Sequence, residues 1–414
     1  MTQNVTTEIA VIGAGVIGMT IALRLSHAGH DVTLVDPNAP GSGASFGNAG
    51  TIADYAVMPV GTPGVLKSLP SLLLDRNSPL AIRHSALPSL TPWLLRFARQ
   101  SLPAAARRNA AAIAALVASA ATSWEDLATE IDGAAILQRR GCLYLYETAR
   151  AFRKAGADMA CRRGHGINVD LISAGELASM EPGLPPVEGG AAFFPGAIFL
   201  SDPGRMMALL AAATSGAGAR LITARAERLT RRIDGVMVEG PGLRLHARRV
   251  VLAAGAQSRA LAMQAGNRVP LDTERGYHVE WDMERPRLSR PASPSTRGFY
   301  LCPMSGRLRV AGTVELGGLT ALPSPHRIRR LIAGARAIFP DLGAPSRDWM
   351  GFRPSMPDSL PVIGPSRGGA DVIHAYGHGH IGLTLAPVTA RLVCDLIAGR
   401  TPELDLTPYL PGRF

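Results

Sequence analysis

The chain has 414 residues, 47% hydrophobic and 18% charged, a globular balance long enough for roughly two to three folding units. Its net charge of +11 rests on arginine, since only Lys67 and Lys154 among the 43 basic residues are lysines. The arginines come as scattered pairs such as Arg107–Arg108 and Arg329–Arg330. With no long basic run interleaved with aromatics, no nucleic-acid partner is expected, although the positive surface suits peripheral contact with an anionic membrane face.

Residues 8–12 are an apolar run bounded by glycine, the pattern of a buried parallel strand. Residues 16–28 then carry apolar side chains at helical spacing (Ile17, Ile21, Leu25, Ala28) and stop at Gly29. Residues 31–35 give a second strand ending at Asp36, which completes a strand–helix–strand unit. Three spaced glycines, Arg24 and the lack of a basic stretch before it argue against reading Ile9–Leu25 as a signal-peptide core.

Residues 40–50 form a loop of small residues. Prolines make 56–92 irregular, with short helices, and 93–131 read as helical. Within the latter, Ala110–Ala121 is too short to span a bilayer. Strand-like runs occupy 134–147 and 191–200, and a helix runs from Pro203 to Gly216. Residues 220–223, 226–238 and 249–255 follow as strands, and 277–314 as a meander. A helix near 327–338, segment 351–364, a strand at 371–376, a glycine loop at 377–382 and a helix at 384–398 close the chain. Cys142, Cys161, Cys302 and Cys394 stand far apart without a CxxC pair, which fits a reducing, cytoplasmic compartment and suggests neither zinc nor a redox pair.

Gly13-Ala14-Gly15-Val16-Ile17-Gly18 fits GxGxxG between a strand and a helix. Gly13 makes the turn, Gly15 lets a pyrophosphate approach, and Gly18 lets helix and strand pack. The helix N-terminus stabilises the phosphate charge. Asp36, followed by Pro37, ends the second strand and would accept hydrogen bonds from a ribose diol. The fingerprint alone allows NAD or FAD. Two further loops of small residues, 42–50 and 377–382, favour a flavin, whose ring runs deep into the protein.

Six stretches carry a family resemblance: Val11–Gly18, Gly43–Gly50, Ala253-Ala254-Gly255, Glu274-Arg-Gly-Tyr-His278, Gly351-Phe-Arg-Pro354 with Pro357-Asp358, and Gly377–Pro387. In order and spacing the chain resembles the D-amino-acid oxidase/glycine oxidase superfamily of FAD enzymes, most nearly bacterial D-amino-acid and D-hydroxyproline dehydrogenases. The resemblance implies an α/β fold, in which an FAD-binding Rossmann-like domain of glutathione-reductase type (1–55, 200–270, 345–414) is interleaved with an α+β substrate domain on an antiparallel sheet (56–199, 271–344). It implies FAD contacts at Gly13, Ala14, Gly15, Val16, Ile17, Gly18, Asp36 and Pro37, and along Ser45, Asn48, Ala49 and Gly50. Others are implied at Ala226, Ala254, Gly255, Gly351, Gly379, His380, Ile381, Gly382, Leu383 and Thr384. Some relatives attach FAD through a cysteine near the position of Gly351, so noncovalent FAD is expected here.

The resemblance also makes Arg353 and Tyr300 the clamp for a substrate carboxylate. Arginine suits the task because its planar fork binds a carboxylate bidentately and keeps its charge. His380, Tyr277 and His278 are further candidates at the pocket, of which strand alternation lets only one of Tyr277 and His278 face it. His378 and His380 lack a matching third ligand, so no metal is indicated. The implied reaction is oxidation of a D-amino acid, with D-hydroxyproline or D-proline as cases, by hydride transfer from Cα to flavin N5. An imine and then a 2-oxo acid result, and a quinone, an acceptor protein or oxygen takes the electrons. Two alternatives stay open: a glycine/sarcosine-type oxidase producing peroxide, and an FAD-carrying subunit of a larger dehydrogenase. Oligomeric state is not legible.

Overall fold

In the computed structural model, which describes residues 3–74 and 78–414, the strand Gln3–Ile12 lies inside an eight-stranded sheet. Its alternating side chains enter two cores: Ile9 and Val11 join one, Ala10 and Ile12 the other. Two-sided burial explains why positions 9–12 of this strand are all apolar. Its parallel neighbours are Val32–Asp36 on one side and Leu243–Leu252 on the other, with Arg220–Thr223 beyond Val32–Asp36. The second half of Leu243–Leu252 pairs in parallel with Gly369–Tyr376, and its first half pairs with the antiparallel strand Gly235–Gly240. The helices Val16–His27, Pro203–Gly216 and Gly382–Ile397 cover one face.

A nine-stranded, mostly antiparallel sheet forms the second layer. Its central strands are Asp272–Asp282, Arg307–Leu316 and Phe299–Met304. The helix Pro325–Arg336 packs Leu331 and Ala335 onto its outer face.

Three expectations need correction. The strand Arg347–Ser355, assigned to the nucleotide-binding part as 345–414, pairs with Asp272–Asp282 in the antiparallel sheet. The helices Pro103–Val117 and Ala120–Glu130, assigned to the substrate part, put Ile113, Leu116, Trp124 and Leu127 into the core beside the parallel sheet. Within 56–92, the chain forms a full helix at Pro63–Leu74, opened by a proline whose missing N–H costs nothing in a first turn. Residues 1–2 and 75–77, which those ranges include, lie outside the described residues. The segment Gly379–Ile397 is long and apolar enough to cross a bilayer, yet 67% of its most apolar window is buried inside this fold.

Candidate active site

The parallel strands Gln3–Ile12, Val32–Asp36 and Leu243–Leu252 end side by side, and the chain turns there on close backbone contacts. Gly13 N donates to Val35 O at 2.8 Å, and Ala253 N to Ile12 O at 2.8 Å. Gly13 has φ +109°, and a Cβ there would lie 2.4 Å from Ala253 O. A Cβ on Gly18 would lie 1.8 Å from Gly13 O. Gly15 differs, because its Cβ would meet only Ser45 Oγ, at 3.3 Å. Its side is open, as an approaching pyrophosphate requires.

The helix beginning at Val16 has a glycine, Gly15, at its N-cap, so that residue supplies no side-chain cap, and its first turn holds no acidic residue. Ser45 Oγ accepts Val16 N at 2.9 Å, tying the small-residue loop to the helix start. The helix beginning at Gly382 is likewise uncapped by side chains and free of acid in its first turn. Two positive helix ends facing open glycines, Gly15 and Gly379, fit a long anionic dinucleotide. Asp36 accepts Ala14 N and Asn38 N, each at 2.8 Å. Each carboxylate oxygen keeps lone-pair capacity for a ribose hydroxyl. Ala226 follows the Arg220–Thr223 strand at the same edge, where Ala224 N donates to Asp36 O. Gly255, at φ +55°, opens the turn after Ala254.

Some cofactor candidates have structural tasks. Asn48 closes its own loop, with Nδ2 donating to Ser45 O at 2.6 Å and Oδ1 accepting Gly50 N at 2.7 Å. Leu383 O accepts the Trp124 indole N–H, and Thr384 Oγ accepts Ala53 N. Gly351 leaves room for Trp349, whose ring would be 2.0 Å from a Cβ at 351.

The inner face of the antiparallel sheet forms the opposite wall. Cross-strand register puts Glu274 opposite Arg353, and His278 opposite Trp349 and Ala311. The next strand continues that row with Tyr300 opposite Ala311. Arg353 lies flat on Gly276, where a Cβ would be 2.5 Å from its guanidinium. Nη1 donates to Thr313 O at 3.0 Å. Its other donors meet no acceptor and no carboxylate within ion-pair distance among the described residues. Thr313 takes φ +56°, a strained conformation for a β-branched residue, at the carbonyl that holds this arginine. Burial raises the pKa of Glu274, against the pull of Arg353.

His380 is exposed and lies in the turn just before the helix Gly382–Ile397. Burial, then the charge of Arg353, pulls its pKa down to about 4, tempered by solvent at the ring, so it is neutral near pH 7. Tyr300 joins a chain of hydroxyls: its OH donates to Tyr144 OH at 3.2 Å and lies 3.4 Å from Tyr55 OH. No hydrogen bond joins Tyr300 to Arg353 among the described residues: Arg353 bonds Thr313 O, and Tyr300 bonds within a cluster of tyrosines. Burial raises the Tyr300 and Tyr55 pKa values, keeping both hydroxyls neutral.

Tyr277 faces away from the pocket. Its hydroxyl pairs with Glu315 and accepts Ser324 N at 3.1 Å, under the outer helix. His278 faces inward, its Nδ1 3.0 Å from Gly47 O and its ring stacked on Trp349 at 5.2 Å. Sequence reasoning missed Trp349, Glu274, Tyr55, Tyr144 and Arg309. For Trp349, Glu274, Tyr144 and Arg309 alternation on a sheet face is a signal only once that face is assigned, and Tyr55, in a turn, carries none.

The model of the FAD dependent oxidoreductase (DAO) family matches residues 8–396. A D-amino-acid oxidase of Bradyrhizobium diazoefficiens is 36% identical over 98% of this chain and 99% of its own. D-amino acid dehydrogenase 2 of Ralstonia nicotianae is 32% identical over 98% and 100%. Among solved structures, glycine oxidase from Geobacillus kaustophilus superposes with a TM-score of 0.80 at 25% identity, covering 99% of each chain.

Proposed function

The chain belongs to the FAD dependent oxidoreductase family, and from that premise we propose that it oxidises a D-amino acid at Cα. The relatives named D-amino-acid oxidase and D-amino acid dehydrogenase 2 support the substrate class. One observation carries the reading: Arg353 spends only Nη1 on Thr313 O, its other N–H donors have no partner among the described residues, and its strand packs against the turn that opens the helix Gly382–Ile397. A substrate carboxylate satisfies them bidentately. FAD, when bound, supplies the two-electron sink, and Gly351, where some relatives have a flavin-linking cysteine, supports noncovalent binding.

Arg353 orients the substrate, held in turn by Thr313 O and by the flat seat at Gly276. His380 stays neutral beside it and adds no second cation. The amino acid loses two electrons and two protons to become an imino acid, and water then releases ammonia and a 2-oxo acid. In this reading the parallel sheet carries the cofactor and the antiparallel sheet carries the substrate.

The test is to purify the yellow protein and assay D-amino acids, D-hydroxyproline, D-proline and N-methylglycine with both dye and oxygen. Turnover of D-amino acids by the single chain is expected, with flavin released on acid precipitation. Activity confined to glycine and N-methylglycine with matching peroxide would favour the oxidase alternative. Activity only after adding partner proteins would favour the subunit alternative.

A finer reading concerns the acceptor. Residues 78–124 contain no acidic residue, and their helices expose Leu87, Leu95 and Leu102 beside Arg96, Arg99, Arg107 and Arg108. Apolar side chains ringed by arginine suit peripheral contact with an anionic lipid surface, where a quinone would be at hand. Co-flotation with anionic but not zwitterionic vesicles is expected; flotation with neither removes this reading.

A further inference from the structure

Three consecutive carbonyls of the small-residue loop are held from one side. Arg309 Nη1 donates to Phe46 O at 3.1 Å and to Asn48 O at 2.7 Å. Between them, His278 Nδ1 meets Gly47 O at 3.0 Å, and because a carbonyl only accepts, that nitrogen carries the proton. Both side chains rise from the inner face of the antiparallel sheet. Arg309 stands directly opposite Glu280 on the neighbouring strand, and Nε donates to Glu280 Oε1 at 2.8 Å. Arg309 is 1% exposed and Glu280 4%. The Arg309 guanidinium also lies over the Phe46 ring at 5.8 Å. Trp349, stacked on His278, closes against Gly47, where a Cβ would be 2.3 Å from the indole.

A trans peptide points its carbonyl and the following N–H in opposite directions, and no peptide bond here is cis. Gripping the carbonyls of 46, 47 and 48 therefore turns the N–H groups of Gly47, Asn48 and Ala49 away from the sheet. None of the three donates to another described residue. Successive N–H groups on one side form a concavity for electron-rich or anionic groups. A buried ion pair contributes little net stability on its own. Here it anchors a loop whose outward donors have no acceptor among the described residues.

We propose that Arg309, Glu280 and His278 are positioning residues for the cofactor: they fix residues 46–49 so that three free backbone N–H groups are presented to bound FAD, tightening its binding and favouring its reduced form. This rests on the FAD-dependent reading above.

The test titrates FAD into flavin-free protein by fluorescence quenching and measures the flavin reduction potential of the reconstituted protein. His278→Phe keeps a flat ring on Trp349 and removes the donor. His278→Asn places an amide nitrogen near the position of Nδ1. Arg309→Lys keeps the charge opposite Glu280 but cannot span two carbonyls. Expected results are FAD binding about tenfold weaker in His278→Phe and roughly thirtyfold weaker in Arg309→Lys. The potential should fall in both, with recovery in His278→Asn. Unchanged affinity and potential in both, or equal behaviour of the Phe and Asn variants, overturns the proposal. Should Arg309→Lys fail to fold, the His278 pair decides alone. Wild-type protein that binds no FAD instead overturns the cofactor reading itself, before any variant is compared.

Discussion

Arg353 is held by one carbonyl and one glycine, and that economy matters. Thr313 O uses only Nη1, so the rest of the fork stays available for a carboxylate. Replacing it with alanine should raise KM for D-amino acids by at least roughly a hundredfold, the loss of two charged hydrogen bonds. The visible flavin spectrum should not change if, as proposed, Arg353 contacts substrate rather than cofactor. Steady-state kinetics on Arg353→Ala, with Arg353→Lys as a partial rescue, checks this; an unchanged KM removes the assignment. Residue types at this site were legible where a motif sets them locally. The glycines of 13–18 are such a case, since backbone closeness within a few residues dictates them. Tyr277 and His278 were not separable. Alternation says that they oppose each other, but a register shift between Arg275 and Tyr277 helps decide which points inward. Arg309 was invisible for another reason: its partners lie about 260 residues away in the chain, at Phe46 and Asn48.

At the scale of the element, the helix Gly382–Ile397 shows how the site's framework is built. Pro387 lies inside it and has no N–H, so the carbonyl four residues earlier loses its partner. That carbonyl belongs to Leu383, and the indole of Trp124 donates to it at 2.7 Å from the neighbouring helix. Trp124 is fully buried. Trp124→Phe keeps most of the apolar volume and strands the carbonyl, and should cost about 1–3 kcal/mol in chemical denaturation. A midpoint equal to wild type would show that the proline gap needs no filling. The turn before the same helix carries His380, so the variant should also weaken FAD retention. The first strand–helix–strand unit could be read from sequence because its contacts are local and its apolar period is unambiguous. The place of Arg347–Ser355 could not, because alternation marks a strand without naming its partner. The alanine-rich helices 103–130 likewise offer apolar faces that fit either core, and only packing assigns them.

The whole molecule carries +11 at neutral pH, and acid adds charge to it. Its buried histidines decide where that first costs stability. His374 and His378 are 0% and 2% exposed. Burial lowers the His374 pKa to about 4, with Arg231 adding to the effect, and lowers His378 to about 3. In the unfolded chain both return to about 6.5. Between those values the unfolded state binds more protons, so the stability these groups contribute is complete above about pH 6.5 and falls as pH drops toward the folded values. Glu280 and Glu315, which burial alone would raise, are held below the usual carboxylate range by Arg309 and by Tyr277 with Arg83 respectively. Their contribution is lost only lower, as pH passes below about 4.5. Glu274 and Asp54, raised by burial, act in the opposite sense and cost stability as pH rises through the ordinary carboxylate range. The interval from about pH 6.5 to 5.5 therefore belongs mainly to histidine. His374→Gln with His378→Gln can retain the bonds to Asn267 and Thr389 through an amide nitrogen while removing the titration. Wild-type Tm should fall across that interval, and the double variant should fall less steeply, with His278 and His380, whose folded values are also lowered to about 4, keeping the rest of the slope. Parallel slopes in the two proteins would mean that these buried rings do not control the acid limb.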